Sequence, residues 1–130
     1  MLTLMIRTDK PEAELYLYDD ATVVAKNIWQ AHRQLLETIQ PACDGLFVKI
    51  NKTLVDLQGI VVFVGGGSFT GLRIGVSYAN ALAAGLGIPV VSTEGDDWIQ
   101  KGIVAIAHAT PGDFVEPNYG RPATITKPLK

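Results

Sequence analysis

The stretch that most constrains this chain runs from Ile60 to Leu86. It opens with IVVFV (Ile60 to Val64), passes through Gly65-Gly66-Gly67, and continues as a helical segment from about Phe69 to Leu86. A continuous β-branched run without alternation marks a central strand covered on both faces. A buried strand that feeds a glycine turn and then a long apolar helix specifies an α/β fold, with helices packed on a sheet. Ser68 is placed to cap the helix N-terminus. Gly87 and Pro89 end the helix, and Pro89-Val90-Val91 starts another strand.

Ahead of this unit, Leu2 to Thr8 reads as a strand, Glu14 to Tyr18 as a second and Ala21 to Lys26 as a third, with Asp19-Asp20 as the turn. The opening is an antiparallel meander, so the whole sheet is mixed. Ile28 to Cys43 reads as the first helix. Its apolar residues (Ile28, Trp29, Ala31, Leu35, Leu36, Ile39, Ala42 and Cys43) fill a stripe of roughly 160° at helical pitch. A helix that only covers a sheet needs a stripe of about 100°. The excess implies contact with another helix or another chain. His32 falls in the middle of the stripe and reads as a packed histidine, because no ligand partner stands one turn away. Ile103 to Ala107 reads as one more strand. Beyond Thr110 come Pro111, Pro117, Pro122 and Pro128, which suit an extended segment. The organisation expected is one domain over residues 1–109 and a proline-rich tail over residues 110–130.

Composition narrows the function. The chain has 130 residues, 48% of them hydrophobic and 18% charged, enough for one folded core. Lys and Arg number 11 against 13 acidic residues, a net charge of −2. That balance argues against a stand-alone nucleic-acid binder, so any RNA must be held mainly by a partner. A lone cysteine, Cys43, fits a reducing cytoplasm. Ile74 to Thr93 carries no charge, but Gly85, Gly87 and Pro89 break it, so no membrane span is expected.

A strand, a glycine turn and a helix can cradle phosphate, because backbone N–H groups point into the turn. A Walker loop needs Lys-Ser/Thr where this chain has Gly71-Leu72-Arg73. A dinucleotide fingerprint needs a third glycine where Thr70 stands. A nucleophile elbow would use Ser68, with Asp97 and His108 following in hydrolase order, but Thr70 again replaces the last glycine. A structural reading remains. Gly71, Gly75, Ala79, Ala83 and Gly87 recur every four residues and form a ridge that another element can approach at backbone distance.

The motif GGGSFTGLRIG (Gly65 to Gly75), followed by Ala79, Ala81, Leu82 and Gly87-Ile88-Pro89-Val90-Val91, resembles the TsaB family, also called YeaZ. The family's motif reads G-P-G-S-F-T-G-L-R-I-G, with Gly66 here in place of proline. The likeness spans about Leu2 to Trp98, with a fainter echo at Pro117-Asn118-Tyr119-Gly120-Arg121. It implies a ribonuclease-H-like domain of the actin-like ATPase superfamily. It also implies a non-catalytic subunit that binds the catalytic subunit TsaD and, with TsaE, supports threonylcarbamoylation of tRNA adenosine.

Departures from the pattern sharpen these expectations. The superfamily's first phosphate loop carries Asp-Thr-Ser or similar, and here it reads Arg7-Thr8-Asp9. The catalytic relatives' two metal-binding histidines align with Thr93 and Asp97, so neither metal nor other cofactor is expected. Family members have two domains, and this chain matches the first. Gly65, Gly66, Gly67, Ser68, Thr70 and Gly71 would then form a vestigial phosphate turn. The partner interface would use Ile28, His32, Leu35, Leu36 and Ile39 on one helix and Leu72, Gly75, Val76, Ala79 and Ala83 on the other. A TsaD-like subunit, a TsaE-like ATPase and a homodimer are the partners implied, with tRNA engaged only through the complex. The alternatives are a silent self-dimerising domain and a small serine hydrolase built on Ser68.

Overall fold

The computed structural model describes residues 1–66 and 69–116, Phe69 by its backbone only. Five strands form one sheet: β1 (Leu2–Arg7), β2 (Glu12–Asp19), β3 (Thr22–Gln30), β4 (Gly59–Phe63) and β5 (Val90–Thr93). Their spatial order is β3-β2-β1-β4-β5. β1, β2 and β3 pair antiparallel, whereas β1–β4 and β4–β5 are parallel. The sheet is mixed, as the meander and the IVVFV run require. Asp20, with φ 54°, makes the tight turn between β2 and β3.

Helices α1 (Leu35–Lys49) and α2 (Phe69–Leu86) pack on one face of the sheet, and α3 (Trp98–Ile106) packs on the other. Alternation divides the strands between these layers. Leu4, Ile6, Leu15, Leu17, Ile60 and Val62 meet Cys43, Leu46, Phe47, Val76, Ala79 and Ala83. Met5, Val61 and Phe63 meet Trp98 and Ile106. Every residue of β4 is buried, which is why its sequence shows no alternation. Cys43 is fully buried in the larger cluster, and burial pushes its thiol up to about 11. The buried thiol is therefore chemically quiet.

Two elements differ from the sequence reading. The first helix starts at Leu35, not Ile28, and runs on to Lys49. Ile28 to Gln30 instead continue β3, because Glu12, Ala13 and Glu14 of β2 offer them a ladder. His32, at φ 47°, then leads through a 3-10 turn into α1. The Ile103 to Ala107 strand is instead the second half of α3. A short apolar run does not by itself distinguish strand from buried helix. Here Trp98, Gly102 and Ile106 recur at helical spacing and face the sheet. Gly102 permits this approach, since a Cβ there would sit 2.5 Å from a methyl of Val61. No helix among the described residues is long and apolar enough to cross a membrane.

Candidate functional site: the two-helix face and the glycine turn

β1 ends directly beneath the first turns of α2, and their contact fixes the glycine turn. The hydroxyl of Thr8, 1% exposed, donates to the carbonyl of Gly71 at 2.8 Å. A Cβ on Gly75 would overlap that same hydroxyl. Arg7 lies with its guanidinium carbon 3.9 Å from the centre of the Phe63 ring, a cation–π contact. It also donates Nε–H to Asp9 at 2.8 Å and a second N–H at 3.3 Å. Burial works against the Arg7 charge, but Asp9 more than offsets it and holds the arginine's pKa above its ordinary value. Beside them, Tyr16 donates to Glu14 at 2.7 Å, and Lys10 pairs with Glu14 at 3.1 Å. The charges of the Arg7-Thr8-Asp9 loop are thus committed to one another. Of the motif residues, Gly65 is buried beside the Phe63 ring, Gly66 and Thr70 are exposed, and Gly71 is half-buried. Gly67 and Ser68 lie outside the described residues, as do the proposed cap and the Pro117 to Arg121 echo.

At the aligned metal positions, Thr93 donates to the carbonyl of Trp98 at 2.8 Å, and Asp97 pairs with Lys101 at 3.2 Å. Both side chains serve the junction of β5 and α3.

Most of the small-residue ridge faces the protein's own sheet. Leu72, Gly75, Val76, Ala79 and Ala83 are buried against the protein's own sheet, where close approach lets α2 sit low on β1 and β4. Leu35 and Ile39 are buried too, in a cluster with Ala13 and Ala31. These seven residues, expected at an interface, are buried within the fold, with Ile39 also reaching the floor of the groove described next. Ile28 is exposed but shares a sheet face with its cross-strand partner Glu14, opposite α1 and α2. His32 is exposed and lines a recess of about 320 Å3 with Lys10, Arg33, Thr70 and Gly71. Of the expected interface residues, Leu36, 70% exposed, and His32 stand open on the two-helix side.

Sequence reasoning missed a second set of small residues. Ser77, Ala81, Ala84 and Gly85 lie on the outward side of α2 and are exposed. A groove of about 670 Å3, which Ser77 helps to line, runs between the two helices. Leu36, Ile39 and Gln40 form its α1 wall, and Thr70, Arg73, Ile74, Ser77 and Tyr78 form its α2 wall. Tyr78 braces the groove by donating to Gln40 across it at 2.9 Å. Its pKa is raised, by burial first and then by Cys43, so it stays a neutral hydroxyl donor. The signal for this face was present as the i, i+4 repeat Ser77-Ala81-Gly85. It runs two residues out of step with the buried ridge.

The relatives agree with this architecture. The family model described as TsaD, tRNA N6-adenosine threonylcarbamoyltransferase, matches residues 28–94, just over half of the chain. The chain belongs to this family, in its TsaB (YeaZ) branch. The match spans the end of β3, α1, β4, α2 and β5, the elements that build the groove and the turn. The tRNA threonylcarbamoyladenosine biosynthesis protein TsaB of Bacillus subtilis (strain 168) is 36% identical over 90 residues, 69% of this chain and 39% of its own length. The protein of the same name from Escherichia coli (strain K12) is 31% identical over 91 residues, 70% of this chain and 39% of its own. The chain therefore spans about two fifths of the length of these TsaB relatives. Solved structures carry the same fold. YeaZ from Pseudomonas aeruginosa superposes with a TM-score of 0.66 at 22% identity, over 72% of this chain and 43% of that one. A second solved structure, described as an uncharacterized protein with similarity to peptidase YEAZ from Pseudomonas aeruginosa, gives 0.67 over the same shares. Together with the mixed sheet, these place the chain in the ribonuclease-H-like, actin-like α/β class.

Proposed function

We propose that this chain is a non-catalytic partner subunit in tRNA threonylcarbamoyladenosine formation, docking a TsaD-like catalytic subunit on the outer face of α2 and the adjoining groove. The observation that carries the reading is the outer face itself. Leu36, Ile74 and Tyr78 offer apolar area beside Ser77, Ala81 and Ala84, whose small side chains let a partner helix approach closely. The TsaB relatives supply the pathway, because their names place them in threonylcarbamoyladenosine biosynthesis. The Arg7-Thr8-Asp9 loop speaks against independent catalysis. Its arginine and aspartate neutralise each other, and Thr8 is tied to Gly71. Cytoplasmic residence follows from the same proposal, since the tRNA substrate is there.

The test is to mix the purified chain with the TsaD-like subunit of the same genome and measure mass in solution. A stable complex, with no ATP hydrolysis above background by the chain alone, is the expected result. Formation of homodimers only, or ATPase turnover that disappears on Thr70→Ala, would overturn the reading.

A further inference from the structure

Residues 111–116 lie outside the stretch that the TsaD-family model matches, and they do something specific. Having turned at Gly112 (φ 111°), this strap runs back along α2, antiparallel to it. Asn80 holds it with both ends of its amide. The side-chain N–H donates to the Val115 carbonyl at 3.0 Å, and the Val115 N–H donates to Asn80 Oδ1 at 3.0 Å. This imitates one rung of a β-ladder, so the backbone is fixed whatever the neighbouring side chains are. Val115 packs against the main core. Phe114, next to it, is 68% exposed.

Between strap and helix lies a hollow of about 360 Å3, lined by Ala83, Ala84, Gly87, Ile88 and Phe114 among others. We infer that this hollow is a second docking point for the same partner, receiving an apolar side chain flanked by basic residues, with Phe114 as its packing wall. The inference rests on the partner reading proposed above and extends it.

Position argues for continuity. At helical pitch Asn80 and Gly87 lie roughly 90° around α2 from the middle of the groove wall, with Ser77 and Ala84 between them. A partner element crossing the small outer face would meet Leu36 and Ile74 on one side and Phe114 on the other. Charge argues for the chemistry. The strap carries Asp113 and Glu116 and no basic residue, and the carbonyl end of α2 adds a negative dipole beside them. A bare apolar knob would gain nothing from these charges. One with neighbouring Lys or Arg would. A pinned backbone also lowers the ordering cost of binding, and a rigid aromatic is a common energetic anchor.

The full chain and the TsaD-like subunit of the same genome test this by titration calorimetry. Phe114→Ala is expected to weaken the complex about tenfold while leaving the thermal midpoint unchanged. The double charge reversal Asp113→Lys with Glu116→Lys should weaken it and flatten its salt dependence. Asn80→Ala, which frees the strap, should act in the same direction as Phe114→Ala. Affinity within twofold of the unmodified chain for Phe114→Ala would overturn the inference. If Leu36→Glu still abolished binding in that case, the partner reading would stand without the strap. If the unmodified chain formed no complex, both would fall.

Discussion

Gly75→Val is expected to destabilise the isolated domain by about 3 kcal/mol, the upper end for forcing volume into a packed core. For a domain of this size that lowers the thermal midpoint by roughly 10 °C. The cause is local. A Cβ on Gly75 would overlap the Thr8 hydroxyl, which cannot swing away without giving up its bond to the Gly71 carbonyl. Relief would require lifting α2 off β1 and β4, which would loosen Val76, Ala79 and Ala83 as well. Ala81→Leu on the outer face is the matched control and should leave the midpoint within about 2 °C, because Ala81 faces solvent. Circular dichroism melts of the two variants check the pair. Equal midpoints would mean that α2 does not sit as low on the sheet as described.

Leu36→Glu is expected to do the opposite, sparing the fold and removing partner binding. Leu36 is 70% exposed, so a carboxylate there costs the monomer little. In the proposed complex the same carboxylate would be desolvated beside Ile74 and Tyr78, a cost that Arg73 on the facing wall of the groove offsets only in part. A loss of about 2–3 kcal/mol, or roughly a hundredfold in affinity, follows if Leu36 is a central contact. Titration against the TsaD-like subunit measures it, with the thermal midpoint as the check on folding. Unchanged affinity would remove the groove from the interface.

The division between these two variants also shows what the sequence could and could not reveal. The β4–turn–α2 unit was legible because its signals are local: a β-branched run, three glycines, and a helix ended by Gly87 and Pro89. The small-residue repeat of α2 was equally visible. What covers it was not, since Thr8 lies 63 residues from Gly71 and only the folded sheet brings them together. The repeat was therefore assigned to a partner when its buried half belongs to the core. The exposed half, Ser77, Ala81, Ala84 and Gly85, passed unnoticed beside it. The start of α1 failed for a related reason. Ile28 and Trp29 fit a helical stripe, but β2 supplies a strand partner for them, and pairing outweighed periodicity. In α3, five apolar residues were too few to separate strand from helix. The Arg7–Asp9 pair over Phe63 was out of reach altogether, because it depends on the order of strands in the sheet. Family resemblance, carried by GGGSFTGLRIG, was legible where residue-by-residue periodicity was not.

The most direct test of the central claim uses Ser77→Cys as a reporter on the outer face of α2. Cys43 is fully buried, with its thiol pushed up to about 11, so a thiol reagent at neutral pH reads the introduced group alone. The rate of labelling is measured with and without a saturating amount of the TsaD-like subunit. At least a tenfold slowing in the complex is expected, because Ser77 lines the groove on the outer side of α2. A complex that forms while position 77 labels at its free rate would contradict it.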